Sequence, residues 1–273
     1  MGYQRISWRR KKTKTIRFKN YQIKTISLKE GLCNQILTEV YKKSDKSLFL
    51  SFFRNLRDYL LDKKTKKDFE DFNERNHFEL FQIESGLGGF YDITENKIVF
   101  LLDKTTLDLI DLLDEEELYE IADYVWTAFV HEDTHFQQQN KIDKSMSKKG
   151  LKPLKINKDY IQYDPDLPYD LNIERNVKYF SNQYEVDALA REVGEKLRIL
   201  YNLNGEKDEK VIHETVKDIF KDIKNNNLPK NNKIIDAEEI KKVINIYWDP
   251  RVNKNVKLDF FGTLFEYLYE RED

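Results

Sequence analysis

The chain of 273 residues is poor in the residues that usually cross-link or punctuate a fold: one cysteine, five prolines and nine glycines, with four histidines besides. A single cysteine, Cys33, excludes any internal disulfide, and beside the apolar Leu32 it reads as a small packed hydrophobe. Scarce glycine and proline argue for helix-rich architecture with short connections, and against a linker-dominated chain. No apolar run approaches the roughly 18 residues that a membrane span requires, so no membrane contact is expected. The start, MGYQRISWRRKKTK, has charge but no following apolar stretch, so no Sec-type export is expected. Ser7 falls one position too late for the myristoylation pattern that Met1-Gly2 would begin.

Acidic charge is also missing, locally. No Asp or Glu precedes Glu30, while Arg5, Arg9, Arg10, Lys11, Lys12, Lys14, Arg17 and Lys19 crowd the same stretch, although the whole chain is only −2. Such an arm could touch nucleic acid or an acidic partner, or could simply be a solvated terminus. Over the whole chain apolar residues make up 40% and charged residues 35%, the balance of a folded protein with a very polar surface. The length allows one large domain or two modest ones.

Apolar positions alternate in KTIRFKNYQIKTISL, at Ile16, Phe18, Tyr21 and Ile23, which predicts a small hairpin or two short strands. From Leu32 to Leu61 the spacing changes to three and four, predicting two helices broken near Ser44-Asp45, and LDKKTKKDFEDFNER continues as a polar helix or loop. GLGGFYDITENKIVFLL predicts a β-hairpin with a strongly buried second strand. A short helix follows, and then a long one from acids near Asp114 to about Gln139. Residues 141–178 hold Gly150, Pro153, Pro165 and Pro168 and read as mostly loop, with one short strand around Leu154 to Ile156. Ser181 is placed to cap the helix NQYEVDALAREVGEKLRIL, and two or three further helices complete the chain around the Asn/Lys-rich insertion KNNNLPKNNK.

The chemistry-bearing stretch is YVWTAFVHEDTHFQQQN. His131 and His135, four apart on a helix, can present two ring nitrogens to one ion at a Zn–N distance of about 2.0–2.1 Å. Glu132 sits beside the first ligand, where a carboxylate can act as general base on a water whose pKa the metal lowers towards about 7. A catalytic zinc needs a third protein ligand and an open position. His77 and His213 lie in highly charged stretches, and a solitary surface histidine is the commoner role for each. Glu185, in the first turn of a helix whose Ala188 and Ala190 permit close approach, is the leading candidate, with Glu174, Asp187, Glu192 and Glu195 behind it.

The order of hairpin, HExxH helix, irregular segment and ExxA helix resembles the compact zincin metallopeptidases of the gluzincin type, including small phage and bacterial proteins. The matching text is His131-Glu132-Asp133-Thr134-His135-Phe136-Gln137-Gln138 and Glu185-Val186-Asp187-Ala188-Leu189-Ala190, within about Gly86 to Leu197. The resemblance implies a zinc ion held by His131, His135 and Glu185, with Glu132 in catalysis. It also implies that NKIVFLL is an edge strand pairing with an extended substrate through main-chain hydrogen bonds. Two departures stand out. Asp133 puts a charge where the family usually has none, and position 189, four after Glu185, is Leu, so a carboxylate supporting a ligand histidine must come from elsewhere, such as Asp187. Tyr163, Tyr169, Tyr179 and Tyr184 lie near enough in sequence for one hydroxyl to serve as an oxyanion donor, and nothing selects among them.

The expected architecture is therefore α+β: a basic arm with short strands and helices over 1–80, then a mostly helical zincin-like domain with C-terminal helices over 81–273. The expected function is zinc-dependent hydrolysis of a protein or peptide substrate in the cytoplasm, or in a virion if the Lys/Asn-rich composition marks a phage gene. The alternatives are an inactive zincin-like structural or host-interaction protein, and a nucleic-acid-associated protein using the arm.

Overall fold

The computed structural model describes residues 14–18, 21–25, 46–84, 86–92, 97–148, 179–229, 232 and 234–269. The basic arm before Lys14, Cys33, the helix expected ahead of Ser44, the strand expected at 154–156, Glu174, Tyr163 and Tyr169 lie outside them. The protein is α+β and mostly helical, with a two-stranded hairpin and a three-stranded sheet. Two compact units divide in sequence after Glu132, inside one helix.

In the first unit, β1 (Lys14–Phe18) and β2 (Tyr21–Thr25) pair antiparallel, with Phe18 opposite Tyr21. Helix α1 (Lys46–Leu60) buries Phe49, Leu50, Phe52, Phe53, Leu56 and Tyr59 along one face, the stripe its three-and-four spacing predicts. The lysine-rich stretch after it forms α2 (Lys66–Asn76), because Thr65 and Asp68 satisfy each other's backbone N–H groups in a capping box. His77 ends that helix in the left-handed region at φ 56°.

The next element had no clear signal in the sequence. Strand β3 (Phe78–Ile83) runs parallel to β5 (Lys97–Asp103), while β4 (Leu87–Asp92) pairs with β5 antiparallel as the hairpin predicts. The order is β3-β5-β4, so the expectation that NKIVFLL is an edge strand is wrong: β5 is central and both its ladders are taken. Its near-continuous apolar run suits that place, since a strand with neighbours on both sides and layers on both faces has no polar face to present. An extended substrate adding to this sheet could pair only with β3 or β4. Phe100 of β5 stacks on Phe52 at 3.8 Å, with Phe53 and Phe78 edge-on at 5.3 Å each, which fixes α1 over the sheet.

Helix α3 (Lys104–Leu109) follows, and then α4 (Glu115–Lys148), nine residues longer than the pattern suggested. Asp114 and Glu117 form a second capping box at the start of α4, at 2.9 and 3.1 Å. Leu118, Ile121, Ala122, Val125, Ala128 and Phe129 bury its inner side. Gly89 of β4 allows that packing, because a Cβ there would lie 2.8 Å from Val125 Cγ1 and 3.1 Å from the Val99 carbonyl oxygen.

The second unit is helical among its described residues: the continuation of α4, then α5 (Gln183–Leu200), α6 (Glu209–Lys224), α7 (Ala237–Trp248) and α8 (Lys254–Tyr269). Val193, Leu197, Ile219, Ile244, Tyr247, Phe260 and Leu264 form its core, with Tyr247 stacked on Phe260 at 3.7 Å. Asp208 and Asp236 cap α6 and α7 through their side chains.

Candidate metal centre

Helix α4 carries His131 and His135 one turn apart, and α5 carries Glu185 in its first turn, where the Asn182 carbonyl accepts from the N–H groups of Glu185 and Val186. One ligand atom from each of His131, His135 and Glu185 lies within 4.8 Å of the others, so the three can hold a metal ion. His135 Nε2 stands 3.6 Å from Glu185 Oε1. Tetrahedral ligands about 2.0–2.1 Å from a common ion are about 3.3–3.4 Å apart, so this pair needs only a small adjustment to share one. Among the described residues the group is two imidazoles and one carboxylate, a donor set that would leave a tetrahedral ion one further position.

Burial is graded across the group. Glu185 is 0% exposed, His131 and His135 are partly buried, and Glu132 is exposed. A carboxylate fully removed from water needs compensating partners, and Tyr179 supplies one by donating its hydroxyl to Glu185 Oε2 at 2.6 Å. Oε1 is then the oxygen turned towards His135. Tyr247 is also fully buried, and its hydroxyl has no hydrogen-bond partner among the described residues. Burial pushes that hydroxyl well above the usual tyrosine range, and the charges of Glu185 and Asp187 push it the same way.

Behind His135 a chain of contacts runs through both helices into α8. His135 Nδ1 meets Gln138 Oε1 at 3.3 Å, Gln138 Nε2 donates to Asp187 Oδ2 at 3.2 Å, and Thr263 Oγ1 donates to Asp187 Oδ1 at 3.3 Å. Asp187 thus reaches His135, but at one remove. The unusual Asp133 accepts from Gln137 Nε2 at 2.6 Å, one turn along α4, which gives its charge a partner on the helix itself.

The remaining candidates are occupied elsewhere. Exposed His77 caps α2, and exposed His213 meets the Tyr269 hydroxyl at 2.8 Å. Glu192 pairs with Lys196 at 2.9 Å, and Glu195 accepts from Asn204 and Tyr267, both at 2.9 Å. Tyr179 serves Glu185 rather than open space, while Gln138, Thr263 and Tyr247 carried no signal in the sequence beyond the position of Gln138 three residues after His135. No protein-family model, curated protein or solved structure matches the chain significantly.

Proposed function

We propose that the protein is a zinc-dependent peptidase that hydrolyses peptide bonds in a protein or peptide substrate. One observation carries the reading: a buried acid on the helix after the HExxH helix, Glu185, meets His135 at 3.6 Å, completing a two-histidine, one-carboxylate donor set. That set, with its open position, suits zinc better than the all-oxygen surroundings of calcium or magnesium sites. When bound, zinc supplies Lewis acidity to the attacking water and the scissile carbonyl.

The chain's own residues divide the remaining work. His131 and His135 would present neutral imidazole nitrogens to the ion, and Glu185 would add one carboxylate oxygen from the protein interior. Glu132 follows His131 directly and is exposed, so its carboxylate is available to take a proton from the attacking water and return it to the leaving amine. The neighbouring Asp133 instead accepts from Gln137 along the helix.

The test is cleavage of a mixed peptide library by the purified, zinc-loaded full chain and by Glu132→Gln. We expect the variant to keep its zinc and to lose about 10²–10⁴-fold in rate, the usual contribution of a general base. Equal cleavage by both proteins, or none by either, would count against the proposal.

A further inference from the structure

Gln138, Asp187 and Thr263 lie outside the donor set, yet they form a chain of contacts that ends at one ring nitrogen of His135. The direction of each hydrogen bond follows from the far end of the chain. An ionised carboxylate only accepts, so Asp187 must face the amide nitrogen of Gln138 and the hydroxyl hydrogen of Thr263. With its nitrogen turned to Asp187, Gln138 must turn its carbonyl oxygen to His135. That oxygen also only accepts, so Nδ1 of His135 must carry the proton. A neutral imidazole has one N–H, and Nε2, which faces Glu185 Oε1 at 3.6 Å and so outside hydrogen-bond reach, is left with the lone pair a metal needs.

We infer that Asp187, acting through Gln138 and anchored by Thr263, is a positioning device that holds His135 in the Nδ1–H tautomer, and that helix α8 is thereby part of the metal centre. The inference concerns the same site as the peptidase reading and rests on it for the metal, but the tautomer is a property of the metal-free chain. Direct carboxylate–histidine contact is the common arrangement for tuning a ligand histidine. Here an amide is interposed, and its orientation transmits the carboxylate's demand across about one helical turn. The spacing explains how: Gln138 is three residues from His135, on the same face of α4, and reaches across to α5.

The test compares the full chain with Gln138→Leu, Asp187→Ala, the double variant of these two, and the exchange variant that combines Gln138→Glu with Asp187→Asn. In the exchange variant the carboxylate introduced at position 138 would accept from His135 directly, and the amide introduced at position 187 would donate to that carboxylate. The direction of both bonds is preserved. The first readout is the His135 tautomer, from ring ¹⁵N shifts of the metal-free proteins at a pH where the imidazole is neutral. The second is zinc affinity by competition with a chromophoric chelator, with thermal unfolding of each metal-free protein as the control for folding.

We expect Nδ1–H in the wild type and a shift towards Nε2–H in both Gln138→Leu and Asp187→Ala. Each should bind zinc about 10–100-fold more weakly. Asp187→Ala should add little in the Gln138→Leu background, because Asp187 acts through Gln138. The exchange variant should keep Nδ1–H and bind zinc nearly as well as the wild type. An Nε2–H wild type, or single variants that keep both tautomer and affinity, would overturn the inference. If the wild type holds Nδ1–H but binds no zinc, the peptidase reading fails while the relay stands.

Discussion

The carboxylate of Asp103 accepts the backbone N–H of Gly86 at 2.9 Å and that of Thr106 at 2.6 Å. It therefore caps α3 while pinning the crossing from β3 to β4, where Gly86 adopts φ 98° and its carbonyl accepts from the Asp103 N–H at 3.0 Å. Burial alone would raise this carboxyl, but the backbone donors together hold it below the usual carboxylate value. A folded-state pKa below the unfolded one contributes stability that is present above the unfolded value and is lost as pH falls through the folded one. Asp103→Ala should thus cost about 0.5–2 kcal/mol near neutrality, as loss of a cap does. In urea titrations the gap to the wild type should close as pH drops below about 4. A gap independent of pH would refute this role. Tyr179→Phe makes a second case, since the buried Glu185 carboxylate would lose a donor; metal-free stability should fall by about 1–3 kcal/mol. His131 and His135 were legible as a candidate metal-binding pair because helical spacing is local, and Glu185 from its place at the start of the ExxA helix. Gln138 and Thr263 were given no role, since their partner Asp187 is set by how α5 meets α4 and α8, and nothing in the sequence singled out Tyr179 among the nearby tyrosines.

At the scale of elements, two close approaches place the helices. Gly89 of β4 admits Val125 of α4, and Gly194 of α5 faces Tyr267 of α8, where a Cβ would lie 2.6 Å from Cδ1 of the ring. The helices α5 and α8 thus touch across a position that only glycine leaves open. An aromatic ring cannot move aside as a flexible chain end can. Gly194→Ala should therefore lower stability by about 1–3 kcal/mol despite alanine's better helix propensity, read as a shift of the urea midpoint at unchanged slope. Stabilisation instead would mean that α8 yields freely. The hairpin of β4 and β5 was legible from its turn and its apolar run, and α1, α5 and the three C-terminal helices from their spacing. Strand β3 was not, because FELFQI buries Phe78, Leu80 and Phe81 without strict alternation, and its partner lies 20 residues on in a parallel pairing that no local pattern announces. With β3 unread, nothing in the sequence corrected the edge position that the resemblance implied for β5.

For the whole molecule, the boundary between its two compact units falls in α4 directly after Glu132, within the HExxH sequence. No helix among the described residues is long and apolar enough to cross a membrane. Binding of an ion by the native state alone would stabilise the protein, by about 2.7 kcal/mol at a free concentration 100 times the Kd. That increment should vanish in Glu185→Ala, whose apo form lacks the third ligand. The most direct measurement is the zinc content and affinity of the purified full chain beside His131→Ala, His135→Ala and Glu185→Ala. We expect about one equivalent in the wild type, as a three-ligand site with one open position would hold, and a marked loss of affinity in each variant. A wild-type chain that takes up no zinc, or variants that bind it equally well, would contradict the assignment of these three residues.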